Sequence, residues 1–253
     1  MEKFKAVILA AGKGTRMESD LPKVLHKVCG ETMVHHTIKA AKDAGATDVI
    51  VIVGYEGQLV KREILDVVDF VEQHEQLGTG HAVMCAKDKI GTEGDVIVLC
   101  GDTPLITAET IKKLYDKHKK ESNGVTVLSA KVDDPTGYGR IIRDEQGNFT
   151  KIVEHKDCTE AELEVNEINS GMYVFNAESL NFSLDKLTND NAQGEYYLTD
   201  TISIIKSACL KVDAMPIEDV NEILGVNTKA QLAEAEAIMK ERKESAEGKQ
   251  GAF

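Results

Sequence analysis

Three segments of the chain are apolar without alternation: Phe4 to Ala10, Asp48 to Gly54 (Asp-Val-Ile-Val-Ile-Val-Gly) and Asp95 to Gly101 (Asp-Val-Ile-Val-Leu-Cys-Gly). A strand with apolar residues on both faces must be covered on both faces. Helical patterns lie between these runs. Thr32 to Ala44 places Met33, Val34, Ile38 and Ala41 near a 3.6-residue spacing, and Gly45 supplies a stop. Further helices are expected at 58–65, 80–89 and 107–120, and further strands at 67–73 and 124–132. Strands alternating with helices predict an α/β fold with a Rossmann-like, mostly parallel mixed sheet flanked by helices. Ligands of such sheets bind beyond the carboxyl ends of the strands. That points to the loop after Ala10, the loop after Gln73 and the turn at Gly101-Asp102.

After Asp134 the pattern changes. Residues 138–143 and 148–154 flank an Asp-Glu-Gln-Gly turn and read as a hairpin. A strand at 168–175 and helices at 177–187 and 197–208 complete a second lobe on the edge of the first, sharing its sheet. Thr228-Lys229-Ala230-Gln231 matches a capping box. The expected organisation is a domain over 1–228, with lobes of about 1–134 and 135–228, followed by a C-terminal helix and frayed tail over 229–253. The charged, small residues beyond Lys240 are the part expected to fray.

Charge narrows the function. Thirty Lys and Arg against 43 Asp and Glu give a net charge of −13, which disfavours nucleic acid as a partner. No apolar run is long enough for a membrane span. Five cysteines, with no Cys-x-x-Cys pair, fit a reducing, cytoplasmic setting and argue against a disulfide framework or a zinc knuckle. Between Gly12 and Lys27 the balance reverses: Lys13, Arg16, Lys23 and Lys27 face only Glu18 and Asp20. A cationic island in an acidic protein is where an anion would bind.

That island is Leu9-Ala10-Ala11-Gly12-Lys13-Gly14-Thr15-Arg16, followed by Pro22-Lys23. Glycines let backbone N–H groups approach phosphate oxygens, small alanines leave room for a flat base or ribose, and Arg16 offers a fork suited to phosphate. Taken alone, the glycines serve turn geometry equally well. The stretch is neither a dinucleotide fingerprint nor a P-loop, since no third glycine and no Gly-Lys-Ser/Thr closes it.

Gly12-x-Gly14-Thr15-Arg16 with Pro22-Lys23 resembles the signature of the sugar-phosphate nucleotidyltransferases. The resemblance extends through Glu75 to Ala82, Gly101 to Leu105, Asp134 to Arg140, Val153 to Asp157, Glu167 to Gly171, Asn191 to Asp200 and Gly225 to Thr228. Over roughly residues 5 to 240 the chain is similar to the N-terminal uridylyltransferase domains of the bacterial bifunctional N-acetylglucosamine-1-phosphate uridylyltransferase/glucosamine-1-phosphate acetyltransferase family. The resemblance implies transfer of UMP from UTP to N-acetylglucosamine-1-phosphate with release of pyrophosphate, for cell-wall precursor synthesis. It implies Arg16 and Lys23 as catalytic charges, Mg²⁺ on Asp102 and Asn227, and nucleotide contacts from Leu9, Ala10, Ala11, Gly12, Gly14, Gln73, Gly78, Thr79 and Gly101. The sugar falls to Gly139, Glu154 and Asn169. Cys100 departs from the aromatic residue expected before Gly-Asp. The family's β-helix acetyltransferase domain is not in this sequence, so a monomer or weak oligomer is expected. A related transferase with another sugar and a non-catalytic nucleotide-binding module are the alternatives. No nucleophile–histidine constellation is expected; His81, the one histidine near the site, reads as structural.

Overall fold

The computed structural model describes residues 3–250. Its strands are β1 (Phe4–Ala10), β2 (Lys27–Val28), β3 (Glu31–Thr32), β4 (Ala46–Val53), β5 (Asp69–Glu72), β6 (Asp95–Cys100), β7 (Val125–Lys131), β8 (Arg140–Arg143), β9 (Phe149–Val153), β10 (Glu167–Asn176) and β11 (Val212–Pro216). Its helices are α1 (Met33–Ala44), α2 (Gly57–Glu63), α3 (Thr79–Cys85), α4 (Lys87–Ile90), α5 (Ala108–Glu121), α6 (Glu160–Leu163), α7 (Ala177–Leu184), α8 (Asp200–Ser207) and α9 (Lys229–Gln250).

The main sheet runs β11-β7-β10-β6-β1-β4-β5, with the β8–β9 hairpin attached through β10. Strand β10 is antiparallel to both of its neighbours; β1 pairs in parallel with β4 and β6, and β11 with β7. This is the mostly parallel, mixed α/β sheet that the uninterrupted apolar runs predict. Both faces are buried. Ile8, Val51, Leu99 and Val174 join α1 and α5 in one core; Val7, Ile52, Val98 and Phe175 join α3, α7 and α8 in another. Helix α1 starts where Thr32 Oγ1 accepts the His35 amide at 3.3 Å, and it stops at Gly45, whose φ of 109° suits glycine.

The structure departs from the sequence reading in several places. The second lobe shares the sheet, but β10 lies in its interior, between β6 and β7, rather than at an edge. The helix expected at 80–89 is two short helices that meet at Ala86. The helix expected from Tyr197 begins at Asp200, because the Leu198 amide is held by Thr79 Oγ1 at 3.2 Å. Strand β11 has no counterpart in the sequence reading; it is short and only partly buried, so its apolar signal is weak. Helix α9 continues to Gln250, past the expected fraying point at Lys240. Arg242 holds it there, donating to the Leu105 carbonyl and pairing with Asp219, each at 2.8 Å. The last part of the expected frayed tail, 251–253, lies outside the described residues. Among the described residues, no helix is long and apolar enough to cross a membrane.

Phe175 sits in β10 with no solvent exposure, packed on Tyr173 with ring centroids 5.5 Å apart. Phe175→Ala is expected to lower unfolding free energy by about 3–5 kcal/mol. Urea denaturation checks this; a loss near zero would mean that β10 is not an integral strand of the core.

Candidate active site

The carboxyl ends of β1, β5 and β6 open onto one cleft of about 330 Å³. Leu9, Ala10, Ala11, Gly12, Lys23, Gln73, Gly78, Thr79 and Asp102 line it, together with Val24, Gln76, Ala82, Cys100 and Glu195. The parallel register explains the convergence. Leu9 lies beside Cys100 on β6, and the Gly101 amide donates to the Leu9 carbonyl at 2.9 Å. The loop after β1 and the turn after β6 are thus adjacent, though about ninety residues separate them in the chain.

The glycines of the first loop differ in their reasons. Gly14 has a φ of 66°, and a Cβ there would fall 2.5 Å from Lys23 Cβ. The aliphatic stem of Lys23 therefore lies across Gly14. At Gly12 an added Cβ would meet nothing within 4 Å. Protein packing does not demand a glycine at that position, and its open side lines the cleft. Arg16 is in a one-turn helix, Thr15–Met17, and is exposed, so its guanidinium is free to reach an incoming anion.

Lys23 is the centre of the charge arrangement. Its ammonium donates to Asp102 Oδ2 and, at 2.8 Å, to Asn227 Oδ1. The Lys23 and Asp102 side chains are only 15% and 20% exposed. Asn227 is held for this role. Its amide N–H donates to Gln231 Oε1 at 2.9 Å, its Nδ2 donates to the Gly225 carbonyl, and the next amide back, Val226, donates to the Asp102 carbonyl. Gln231 belongs to the capping box visible in the sequence, since its own amide donates to Thr228 Oγ1. Two residues 125 positions apart thus present a carboxylate oxygen and an amide oxygen to one cation. Among the described residues, no cluster of three or more His, Cys, Asp or Glu side chains could hold a metal alone.

The opposite wall is stitched to the second lobe. Gly78 has a φ of 110°, and a Cβ there would strike the Tyr196 carbonyl at 2.6 Å. Gly80 N–H donates to that carbonyl at 2.7 Å. Gln73, 4% exposed, donates its Nε2 hydrogens to the Gly78 carbonyl and to His81 Nδ1. His81 therefore has a packing partner under the loop. Gln76 was not among the predicted site residues, yet its Nε2 donates to the Ala11 carbonyl at 2.7 Å and ties the two loops together. Only its place in the same short motif as Gly78 hinted at this. Glu195 also lines the cleft, from the Asn191 to Asp200 stretch that carries part of the family resemblance.

Gly139, Glu154 and Asn169 do not line that cleft; they form a neighbouring cluster. The Asn169 amide donates to the Gly139 carbonyl at 2.8 Å, and a Cβ on Gly139 would lie 3.4 Å from Glu154 Oε2. Asn169 Nδ2 donates to the Tyr173 hydroxyl and Oδ1 accepts from the Gly171 amide, so the side chain is fixed from both ends. Burial pushes the Glu154 carboxyl above its usual range. The Thr199 hydroxyl, donating at 2.9 Å, opposes that rise, while Asp200, Asp157 and Glu195 add to it. Cys100 connects the clusters. Its thiol donates to the Gly171 carbonyl, and burial, reinforced by Asp102, pushes its pKa to about 12. A thiol so placed is no nucleophile at neutral pH.

The nucleotidyl transferase family model matches residues 5–243. The chain is 52% identical over 239 residues to the bifunctional protein GlmU of Clostridioides difficile and 53% identical over 242 residues to that of Caldanaerobacter subterraneus. These matches cover 94% and 96% of this chain but 52% and 53% of the relatives, so the chain spans about half the length of the curated relatives it matches. In fold it is similar to a UDP-glucose pyrophosphorylase solved with UDP-glucose: TM-score 0.77, 18% identity, 95% of this chain and 99% of that one. A putative glucose-1-phosphate thymidylyltransferase from Bacillus anthracis, in complex with a sucrose, gives 0.75 at 21% identity, covering 93% and 94%.

Because the Glu154 pKa is raised in the folded state, the native protein binds more protons there than the unfolded chain does. Its ionisation therefore costs stability as pH rises above 4.5, and the cost is absent below it. Glu154→Gln is expected to be more stable than the parent at pH 7, with the gain vanishing in acid. Urea titrations at both pH values check this; a pH-independent difference would contradict it.

Proposed function

This chain is a member of the nucleotidyl transferase family, and on that premise we propose that it is a UDP-N-acetylglucosamine diphosphorylase, transferring UMP from UTP to N-acetylglucosamine-1-phosphate. The observation that carries the reading is the convergence of Lys23, Asp102 and Asn227 at the rim where β1 and β6 end. The name of the relatives whose length this chain half covers, bifunctional protein GlmU, supports it as well.

The sugar-phosphate oxygen attacks the α-phosphorus of UTP, and pyrophosphate leaves from the opposite side. The nucleophile is already an anion, so no general base is needed, and the inert Cys100 and the packed His81 fit a reaction without a covalent intermediate. Catalysis is then a matter of position and charge. The nucleotide lies along Leu9 to Gly12 and Gly14, with the base beside Gln73, Gly78 and Thr79 and the backbone of Gly101 closing the floor. Lys23 and Arg16 neutralise charge that develops on the transferring phosphate. The sugar meets Gly139, Glu154 and Asn169, whose fixed donors and acceptors discriminate among hydroxyl arrangements.

The residues present suit Mg²⁺. Asp102 and Asn227 already direct two hard oxygens at one cationic point, the Lys23 ammonium, and a single carboxylate beside an amide suits an ion that keeps other positions for phosphate oxygens and water. When bound, such an ion supplies Lewis-acid stabilisation to the phosphates.

Pyrophosphate release measured over several sugar phosphates is expected to be fastest with N-acetylglucosamine-1-phosphate; a preference for glucose-1-phosphate would reject that substrate. Asp102→Ala is expected to fold with a lowered melting temperature, because the Lys23 ammonium loses its carboxylate, and to lose turnover; near-parental turnover at saturating Mg²⁺ would remove the metal assignment. Lys23→Ala should slow turnover by about 100- to 1,000-fold. Unchanged kinetics would make Lys23 only the structural partner of Asp102.

A further inference from the structure

Arg140 is 2% exposed, yet among the described residues no carboxylate pairs with it. A buried guanidinium with no carboxylate in contact is costly and calls for an explanation; the Asp134 carboxylate, held low first by its Thr136 hydrogen bonds and then by the Arg140 charge, does not bond to it. Its Nη1 donates to two carbonyls, those of Pro135 (2.6 Å) and Tyr138. Nη2 donates to His155 Nδ1 at 3.4 Å, and Nε is buried with no hydrogen-bond partner. Hydrophobic packing would fill the space at lower cost. What the guanidinium adds is a clamp: one nitrogen holds the two ends of the 135–138 turn.

That turn is fixed at further points. The Tyr138 amide donates back to the Pro135 carbonyl at 3.2 Å, Asp134 Oδ1 accepts from the Thr136 amide at 3.0 Å, and the Asn169 amide holds the Gly139 carbonyl. Outside the turn, the Tyr138 ring packs against the same core as Ile8 and Leu99. Burial, and after it the Asp102 carboxylate, pushes the Tyr138 hydroxyl above its usual pKa, with Arg16 opposing the rise. The turn therefore ties the Asn169 segment of β10 to the core that β1 and β6 share.

We infer that Arg140 is a positioning residue: by clamping the Pro135 and Tyr138 carbonyls it sets Gly139 beside Glu154 and Asn169, next to the cleft, and so sets where the sugar phosphate sits. This rests on the proposed transferase reading for its substrate but not for its geometry. The residue acts through the turn and does not touch the reacting atoms.

The test uses Arg140→Met, which keeps the aliphatic stem without donors, and Arg140→Lys, which supplies a single-point cation to the same carbonyls. KM for the sugar phosphate is expected to rise about tenfold in Arg140→Met, with the UTP dissociation constant unchanged by calorimetry and with partial recovery in Arg140→Lys. A merely structural role would move both substrates together with the melting temperature, and that result would overturn the inference. The protein has no tryptophan, so Tyr138→Trp gives a single fluorescent reporter on the turn. Acrylamide quenching of that reporter is expected to increase about twofold when Arg140→Met is added. Unchanged quenching would overturn the clamp. If the parent enzyme turned over no sugar phosphate, the transferase reading would fail while the quenching experiment still decided the clamp; if Arg140→Met did not fold, Arg140→Lys would carry both measurements.

Discussion

One ammonium joins three distant parts of this chain. Lys23 comes from the loop after the first strand, Asp102 from the turn after the sixth and Asn227 from the entry to the last helix, and the Lys23 side chain bonds to both of the others. Backbone contacts repeat the same connection: Gly101 to Leu9, and Val226 to Asp102. The mostly buried ion pair stabilises only if its partners are held, because a charge left there alone is costly. The sheet, the Gly14 contact and the capping box all act to hold them. The same constraint makes the rim suited to anions, since a cation oriented before the ligand arrives needs little reorganisation in the reaction.

The second lobe is built into the sheet of the first. Strand β10 is hydrogen-bonded between β6 and β7, and from it hang Asn169 and, through β8, Arg140 and Gly139. The cleft and the neighbouring cluster of Gly139, Glu154 and Asn169 are therefore referenced to one sheet. Their relative placement depends on local turns, such as 135–138 and 75–80, which glycines and a buried arginine fix in place.

Much of the site was legible in the chain itself. The doubly apolar runs called for a covered parallel sheet, and the carboxyl-end rule then selected the loops after Ala10 and Gln73 and the turn at Gly101; all three open onto the same cleft. Thr228 and Gln231 marked the start of the last helix. Gln76 and Glu195 lie in stretches that carry the family resemblance, but their places on the cleft wall were not legible, because each depends on contacts between distant loops. Strand β11 was missed because a five-residue, half-buried edge strand has no strong periodicity.

What the sequence determined by itself was local: which stretches must be buried on both faces, where helices cap, and where a cationic loop interrupts an acidic chain. These follow from neighbours within a few residues, where side-chain period and turn chemistry act. Only the tertiary structure decided that β10 enters the interior of the sheet, that one cation shares Asp102 with Asn227, and that Arg140 is buried beneath the turn that carries Tyr138. Those depend on strand order and on contacts between residues far apart in the chain, and no short-range pattern encodes them.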